Sequence, residues 1–101
     1  MATKKTKKYV VVRCKNESPH VGYLEKQDDK NRVAVLTEAR RIWYWDGAAT
    51  LSQIATDGVS KPKNCKFPAP VIRITLYEVI GIIEATEKAK KNIAQVPEWK
   101  E

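Results

Sequence analysis

The sequence predicts an α+β domain: an antiparallel β-sheet of about five or six strands with two short helices. Three observations carry this. Short runs rich in Val, Ile and Tyr recur along the chain, as strands require. Two segments switch to helical spacing directly behind a threonine. Proline and glycine divide these runs from one another. At 101 residues there is room for one hydrophobic core.

Tyr9 to Cys14 reads as the first strand. His20 to Lys26 and Arg32 to Thr37 read as the second and third. The polar Gln27-Asp28-Asp29-Lys30-Asn31 between them suits a hairpin connection. Arg40 to Trp45 predicts a fourth strand, with Arg41, Trp43 and Trp45 on one face and Arg40, Ile42 and Tyr44 on the other. Thr50-Leu51-Ser52-Gln53 then has the form of a capping box. With an apolar stripe of Leu51, Ile54 and Ala55 and a stop at Gly58, it predicts a helix of about two turns. Ser60 to Pro70 carries Pro62, Pro68 and Pro70 and reads as a loop. Val71 to Ala85 predicts one or two strands, with Gly81 marking a bulge or a close backbone approach. Thr86-Glu87 opens a second helix that runs to about Gln95, before Pro97, and Trp99 is expected to anchor the C-terminus.

Charge is unevenly spread. The formal net charge is +7, and residues 1–15 hold Lys4, Lys5, Lys7, Lys8, Arg13 and Lys15 without an acid. The organisation predicted is a basic, flexible arm over residues 1–8 and a single domain over 9–101. Such an arm suits attraction to a polyanion, and equally a solvated tail. No apolar run approaches the ~20 residues of a membrane span, and the N-terminus lacks the features of a signal peptide. The expected location is therefore cytoplasmic, with no membrane partner.

Cys14 and Cys65 lie far apart with His20 as the single histidine, so neither a zinc site nor another metal site is expected. Both cysteines read as free thiols, although sequence alone leaves a disulfide between them open. Nucleophilic catalysis needs a base held by an orienting group. His20 at the start of a strand fits a structural hydrogen bond better than that role. Asp46-Gly47 and Asp57-Gly58 are turn chemistry before they are catalytic pairs. No glycine-rich phosphate loop exists. The expectation is a protein that is not an enzyme and takes no cofactor.

The most informative stretch is Arg40-Arg41-Ile42-Trp43-Tyr44-Trp45. Aromatic faces stack on bases, and guanidinium groups offer bidentate phosphate contacts and cation–π contacts. The candidate ligand-binding residues are Arg40, Arg41, Trp43, Tyr44 and Trp45, with Lys61, Lys63 and Arg73 as secondary phosphate contacts. Trp43 and Trp45 have two other readings, as core residues with arginine stems covering their rim and as anchors of a subunit interface. A homo-oligomer is expected on the last reading.

The run Arg40 to Ala49, with Leu51-Ser52-Gln53-Ile54-Ala55, Gly58-Val59, Lys61-Pro62, Asn64-Cys65-Lys66-Phe67 and the ending Val96-Pro97-Glu98-Trp99, resembles a family of short proteins encoded by tailed phages and prophages. The resemblance covers about residues 9–99. The family is a domain of unknown function, so the resemblance implies an origin and a bacterial host rather than a mechanism. The chain departs from its relatives at Asn16-Glu17-Ser18-Pro19-His20, where a Ser-Ala-Gly-Val type of turn is usual. Taken together, these readings predict a phage-encoded binding protein for an anionic, base-containing ligand, either a nucleotide signal or nucleic acid, with a counter-defence role. The alternative is a protein–protein module: a virion or assembly component, or an inhibitor of a host defence protein.

Overall fold

β1 spans Tyr9–Cys14 and sits inside the sheet, with partners on both sides. Its alternation explains that position, because both of its faces are apolar. Val10, Val12 and Cys14 join one buried cluster, while Val11 joins another. The structure, a computed structural model, describes residues 7–100. The predicted contribution of Lys4 and Lys5 to a basic arm lies outside those residues. β2 (His20–Asp28) and β3 (Val33–Arg41) follow as an antiparallel meander. β4 is Val71–Leu76 and β5 is Val79–Glu84, and the sheet order is β4-β3-β2-β1-β5. Two helices complete the described fold: α1 (Leu51–Asp57) and α2 (Glu87–Ala94). The architecture is the predicted α+β one, with five antiparallel strands.

Only Tyr77 and Glu78 separate β4 from β5, yet these strands form opposite edges of the sheet. Three residue steps reach at most about 11 Å, whereas five flat strands would hold the edges about 19 Å apart. The sheet must therefore curl until its edges converge at this corner. Bulges supply the curvature. Between the pairs Val21↔Arg40 and Tyr23↔Thr37, β3 carries an extra residue, and Glu38 there has φ +49°. A second irregularity lies between Arg13↔Gly81 and Cys14↔Val79, which leaves Ile80 as the extra residue beside Gly81. The corner itself turns on Glu78 at φ +56°.

The curl divides the core in two. Inside it, Val10, Val12, Leu36 and Leu76 pack together. Outside it, Val11, Val21 and Phe67 pack against Ile54 of α1 and Ile93 of α2. Burying a side chain such as the fully enclosed Phe67 contributes about 1.5–3 kcal/mol. Cys14 and Cys65 fall in different clusters and both are free thiols, which closes the disulfide question.

Both helices begin as read from sequence. The Thr50 hydroxyl accepts from the Gln53 N–H at 3.1 Å, and the Thr86 hydroxyl from the Ala89 N–H at 3.0 Å. The Gln53 side chain reaches back one residue further than a standard capping box, accepting from the Ala49 N–H at 2.9 Å. Gly58 closes α1 at φ +80°, where a Cβ would collide with the Asn92 side chain. Asn92 holds the helices together by accepting from the Val59 N–H (2.8 Å) and donating to the Val59 carbonyl (2.9 Å).

One predicted element is corrected. Arg40 to Trp45 does not form a fourth strand. Arg40 and Arg41 end β3, and the chain then leaves the sheet, retaining only an isolated bridge from Tyr44 to Lys66. The reason is packing, since Ile42 is drawn into the helix-side core and Trp45 rests against it, while Trp43 stays half exposed.

Candidate ligand-binding surface

Beyond β3, three extended segments run side by side. The Trp43 and Tyr44 N–H groups donate to the Lys66 carbonyl at 3.1 and 3.3 Å, and Lys66 N–H returns a bond to the Tyr44 carbonyl at 2.8 Å. The Trp99 N–H donates to the Phe67 carbonyl at 3.0 Å, beside a parallel bridge between Phe67 and Glu98. This small ladder brings residues distant in sequence onto one surface.

There the side chains form a series in which each member meets the next. The Arg41 guanidinium lies 4.6 Å from the centre of the Trp43 ring. Trp43 and Trp99 are nearly parallel, at 7°, with centroids 6.4 Å apart. The Lys66 ammonium lies 5.5 Å from the Trp99 ring. Trp43 and the neighbouring Tyr44 keep about half their surface in solvent, at 52% and 51%. Cation–π contacts at such exposed positions contribute about 0.5–1 kcal/mol each, so the series orders its own members only modestly. Arg41 also meets Glu17 at 3.3 Å, a partly exposed pair that adds little. Its Nε is buried and has no hydrogen-bond partner.

The other residues singled out by sequence are dispersed. Trp45 is half-buried against the helix-side core, and its indole N–H donates to the Ala48 carbonyl at 3.0 Å. It is a packing residue. Arg40 is only 5% exposed and uses its guanidinium on backbone carbonyls. It belongs to the interior rather than to the Trp43 surface. Arg73 lies on edge strand β4 and makes two 3.2 Å contacts with the Glu25 carboxylate of β2 rather than with a member of the aromatic series. Lys61 and Lys63 flank Pro62 around a short 3-10 turn, Pro62–Asn64, in the loop that leads to Lys66. That loop is docked on residues 44–47 through Ser60 N–H to the Gly47 carbonyl (3.1 Å) and Asn64 to the Asp46 carboxylate (3.1 Å). Gly47 is required for the close approach, since at φ +93° its Cβ would stand 2.6 Å from the Lys61 nitrogen. The surface thus joins Arg41 and Trp43 with Lys66 and Trp99, and the exposed Tyr44 is tied to it through its backbone bridge to Lys66. Lys66 and Trp99 are absent from the sequence-based set, and their only signals were a basic loop and a tryptophan after a proline.

Cys65 completes the docking: its Sγ accepts from the Asp46 N–H at 3.3 Å, and burial pushes its thiol up from the ordinary range. A raised thiol is a poor nucleophile at neutral pH. His20 is buried with Nδ1 2.9 Å from the Ser18 carbonyl. Burial holds the imidazole below its ordinary value of 6.5, against the opposing effects of the Ser18 carbonyl and Glu17. This depressed value has a testable sign. Above the unfolded value both states hold a neutral ring, and the fold bears no penalty. Below about pH 6.5 the unfolded chain takes up the proton first, so stability falls as the pH drops toward the depressed folded value. Urea midpoints between about pH 7 and pH 5 are expected to fall more steeply for the wild type than for His20→Gln. Equal slopes would remove His20 as the cause.

The class defined by these features is a small α+β domain whose curled sheet presents an aromatic and basic surface at the end of β3. The chain belongs to the family described as Domain of unknown function (DUF6948), which matches residues 7–93. That span takes in all five strands and nearly all of α2, and ends before Trp99. No curated protein and no solved structure matches the chain. Among the described residues no helix is long and apolar enough to cross a membrane.

Proposed function

We propose that this protein binds an anionic, base-containing ligand without turning it over, and that a single-stranded nucleic acid is the ligand its surface suits best. The series Arg41–Trp43–Trp99–Lys66 carries the proposal. It combines what a nucleotide chain needs: half-exposed indole surface for bases, and cations at either end of the pair for phosphates. The surface is open rather than enclosed. A strand that spreads its contacts over several nucleotides suits such a platform better than a lone nucleotide, which requires a concave site for tight binding. Lys61 and Lys63, on the loop that leads to Lys66, extend the positive charge along one side. Resemblance of the Trp-rich run to short phage and prophage proteins supports a phage-encoded role in the cytoplasm of a bacterial host, with counter-defence as the setting.

Fluorescence anisotropy with short labelled single-stranded DNA at two salt concentrations tests this. Trp43→Ala is expected to weaken binding roughly tenfold to a hundredfold, in line with the loss of one stacking platform. Lys66→Ala is expected to reduce the salt slope by about one phosphate contact. Wild-type binding that is absent, or unchanged in Trp43→Ala, would overturn the reading. A second reading, a protein–protein module, is favoured by the edge strand β4, where Val71 and Ile72 are 48% and 89% exposed. An unpaired apolar edge suits strand addition by a partner protein.

A further inference from the structure

Arg40 presents an unusual balance of charge. Its side chain is 5% exposed, yet among the described residues no carboxylate lies within ion-pair distance of it. Instead, Nε donates to the Pro68 carbonyl at 3.0 Å, Nη1 to Ile93 at 3.0 Å, and Nη2 to Phe67 at 2.8 Å and to Pro97 at 3.4 Å. Carbonyl dipoles satisfy hydrogen bonds, but they do not neutralise a buried cation. A guanidinium also has five N–H donors, and these four bonds leave one on Nη1 without a protein acceptor.

Arg40 lines a cavity of about 290 Å³ between the strands and α2. Tyr9 and Tyr23 form one part of it, packed edge to face with centroids 5.0 Å apart. Lys90 and Lys91 of α2 line it as well, and the Lys90 ammonium lies 5.1 Å from the Tyr23 ring. Glu38 and Glu98 are also in the lining. The lining therefore sets three cations against two carboxylates, with two phenols as neutral donors. Lys90 also meets Glu87 on α2 at 3.7 Å, a partly exposed pair that adds little. Burial raises the Tyr9 phenol to about 12, so it keeps its proton through the physiological range. This cavity is separate from the Trp43 surface: no member of the stacked series lines it.

We infer that this cavity is a binding site for a small oxyanion, a phosphate or carboxylate group, received by the free Arg40 donor, Lys90 and the tyrosine hydroxyls. An anion here would supply the counter-charge that the buried guanidinium lacks. The two lining glutamates offset two of the three cations, so a single small anion balances the remaining charge and a polyanion would exceed it. The site is independent of the nucleic-acid reading and stands or falls separately.

The test is thermal unfolding of the full chain in inorganic phosphate, acetate or chloride at matched ionic strength. Binding to the folded state raises the melting temperature in a saturable way. The expected result is a saturable rise with phosphate or acetate over chloride, with apparent affinity at least fivefold weaker in Lys90→Met and in Tyr23→Phe, and unchanged in Trp43→Ala. Phosphate acting alone assigns the site to phosphate groups; acetate acting equally well assigns it to carboxylates. Both variants leave the Arg40 hydrogen bonds in place, and their folding is checked by the unfolding transition in chloride. No rise over chloride, a rise that never saturates, or one lost only in Trp43→Ala would overturn the inference.

Discussion

Replacing Arg40 with methionine is expected to destabilise the protein by about 3–5 kcal/mol, the cost of losing several buried charge-assisted hydrogen bonds. A domain of this size has a total stability of about 5–15 kcal/mol, so the loss threatens folding itself. The physical reason is convergence. One guanidinium joins the Pro68 and Phe67 carbonyls before β4, the Ile93 carbonyl in α2 and the Pro97 carbonyl in the C-terminal segment. Methionine fills much of the volume but takes the guanidinium from the Pro68 and Pro97 carbonyls and leaves the buried Phe67 and Ile93 carbonyls with only their backbone donors, Trp99 and Val96. Arg40→Lys is expected to fall between the two, since an ammonium keeps the charge but cannot span three directions with a rigid fork. Chemical denaturation of the three proteins checks the order. A methionine variant within about 1 kcal/mol of wild type would show that water replaces the guanidinium at little cost.

Asn92→Ala is the second large effect, at about 2–4 kcal/mol. Val59 is 1% exposed, and among the described residues its backbone N–H and its carbonyl pair only with the Asn92 amide across the α1–α2 junction. Each buried backbone group left unpaired costs about 1–3 kcal/mol. Asn92→Asp separates the two bonds: an aspartate still accepts from the Val59 N–H but offers no donor to the carbonyl. Denaturant midpoints are expected in the order wild type, Asp, Ala. An Ala variant as stable as Asp would mean that the carbonyl bond carries the whole interaction.

The elements were largely legible in the sequence; their arrangement was not. β1 has the boundaries that its Val-rich run predicts, and both helices start at the threonines that announce them. Alternation failed where its premise failed. It assumes an unbroken ladder, whereas the extra residue at Glu38 shifts the register ahead of Arg40 and the chain leaves the sheet after Arg41. Val71 to Ala85 reads as one or two strands; the structure has two, Val71–Leu76 and Val79–Glu84, and a two-residue gap looks like a hairpin. Nothing local shows that β4 and β5 pair with different neighbours. The candidate surface was half legible for a related reason. Arg41, Trp43 and Tyr44 are adjacent in sequence, but Lys66 and Trp99 reach them only through the backbone ladder beyond β3. Arg40 reads as a surface cation because charged residues usually are. Its burial depends on carbonyls from three distant segments, which have no signature in composition.

The corner at Tyr77 and Glu78 also has a consequence for how the chain reaches this state. β1, the first strand made, pairs on one side with β2, which follows within a few residues, and on the other with β5, which is about seventy residues later. During synthesis its second edge therefore stays open while β2, β3 and β4 assemble outward. Loop closure over that distance must come before the contacts that reward it, which places the domain among slower folders of its size. Until β5 arrives, Val10 to Val12 present a β-branched edge with no charge among them, a ready template for the wrong strand. The lysines just ahead of that strand, Lys7 and Lys8, stand where flanking charge opposes such pairing.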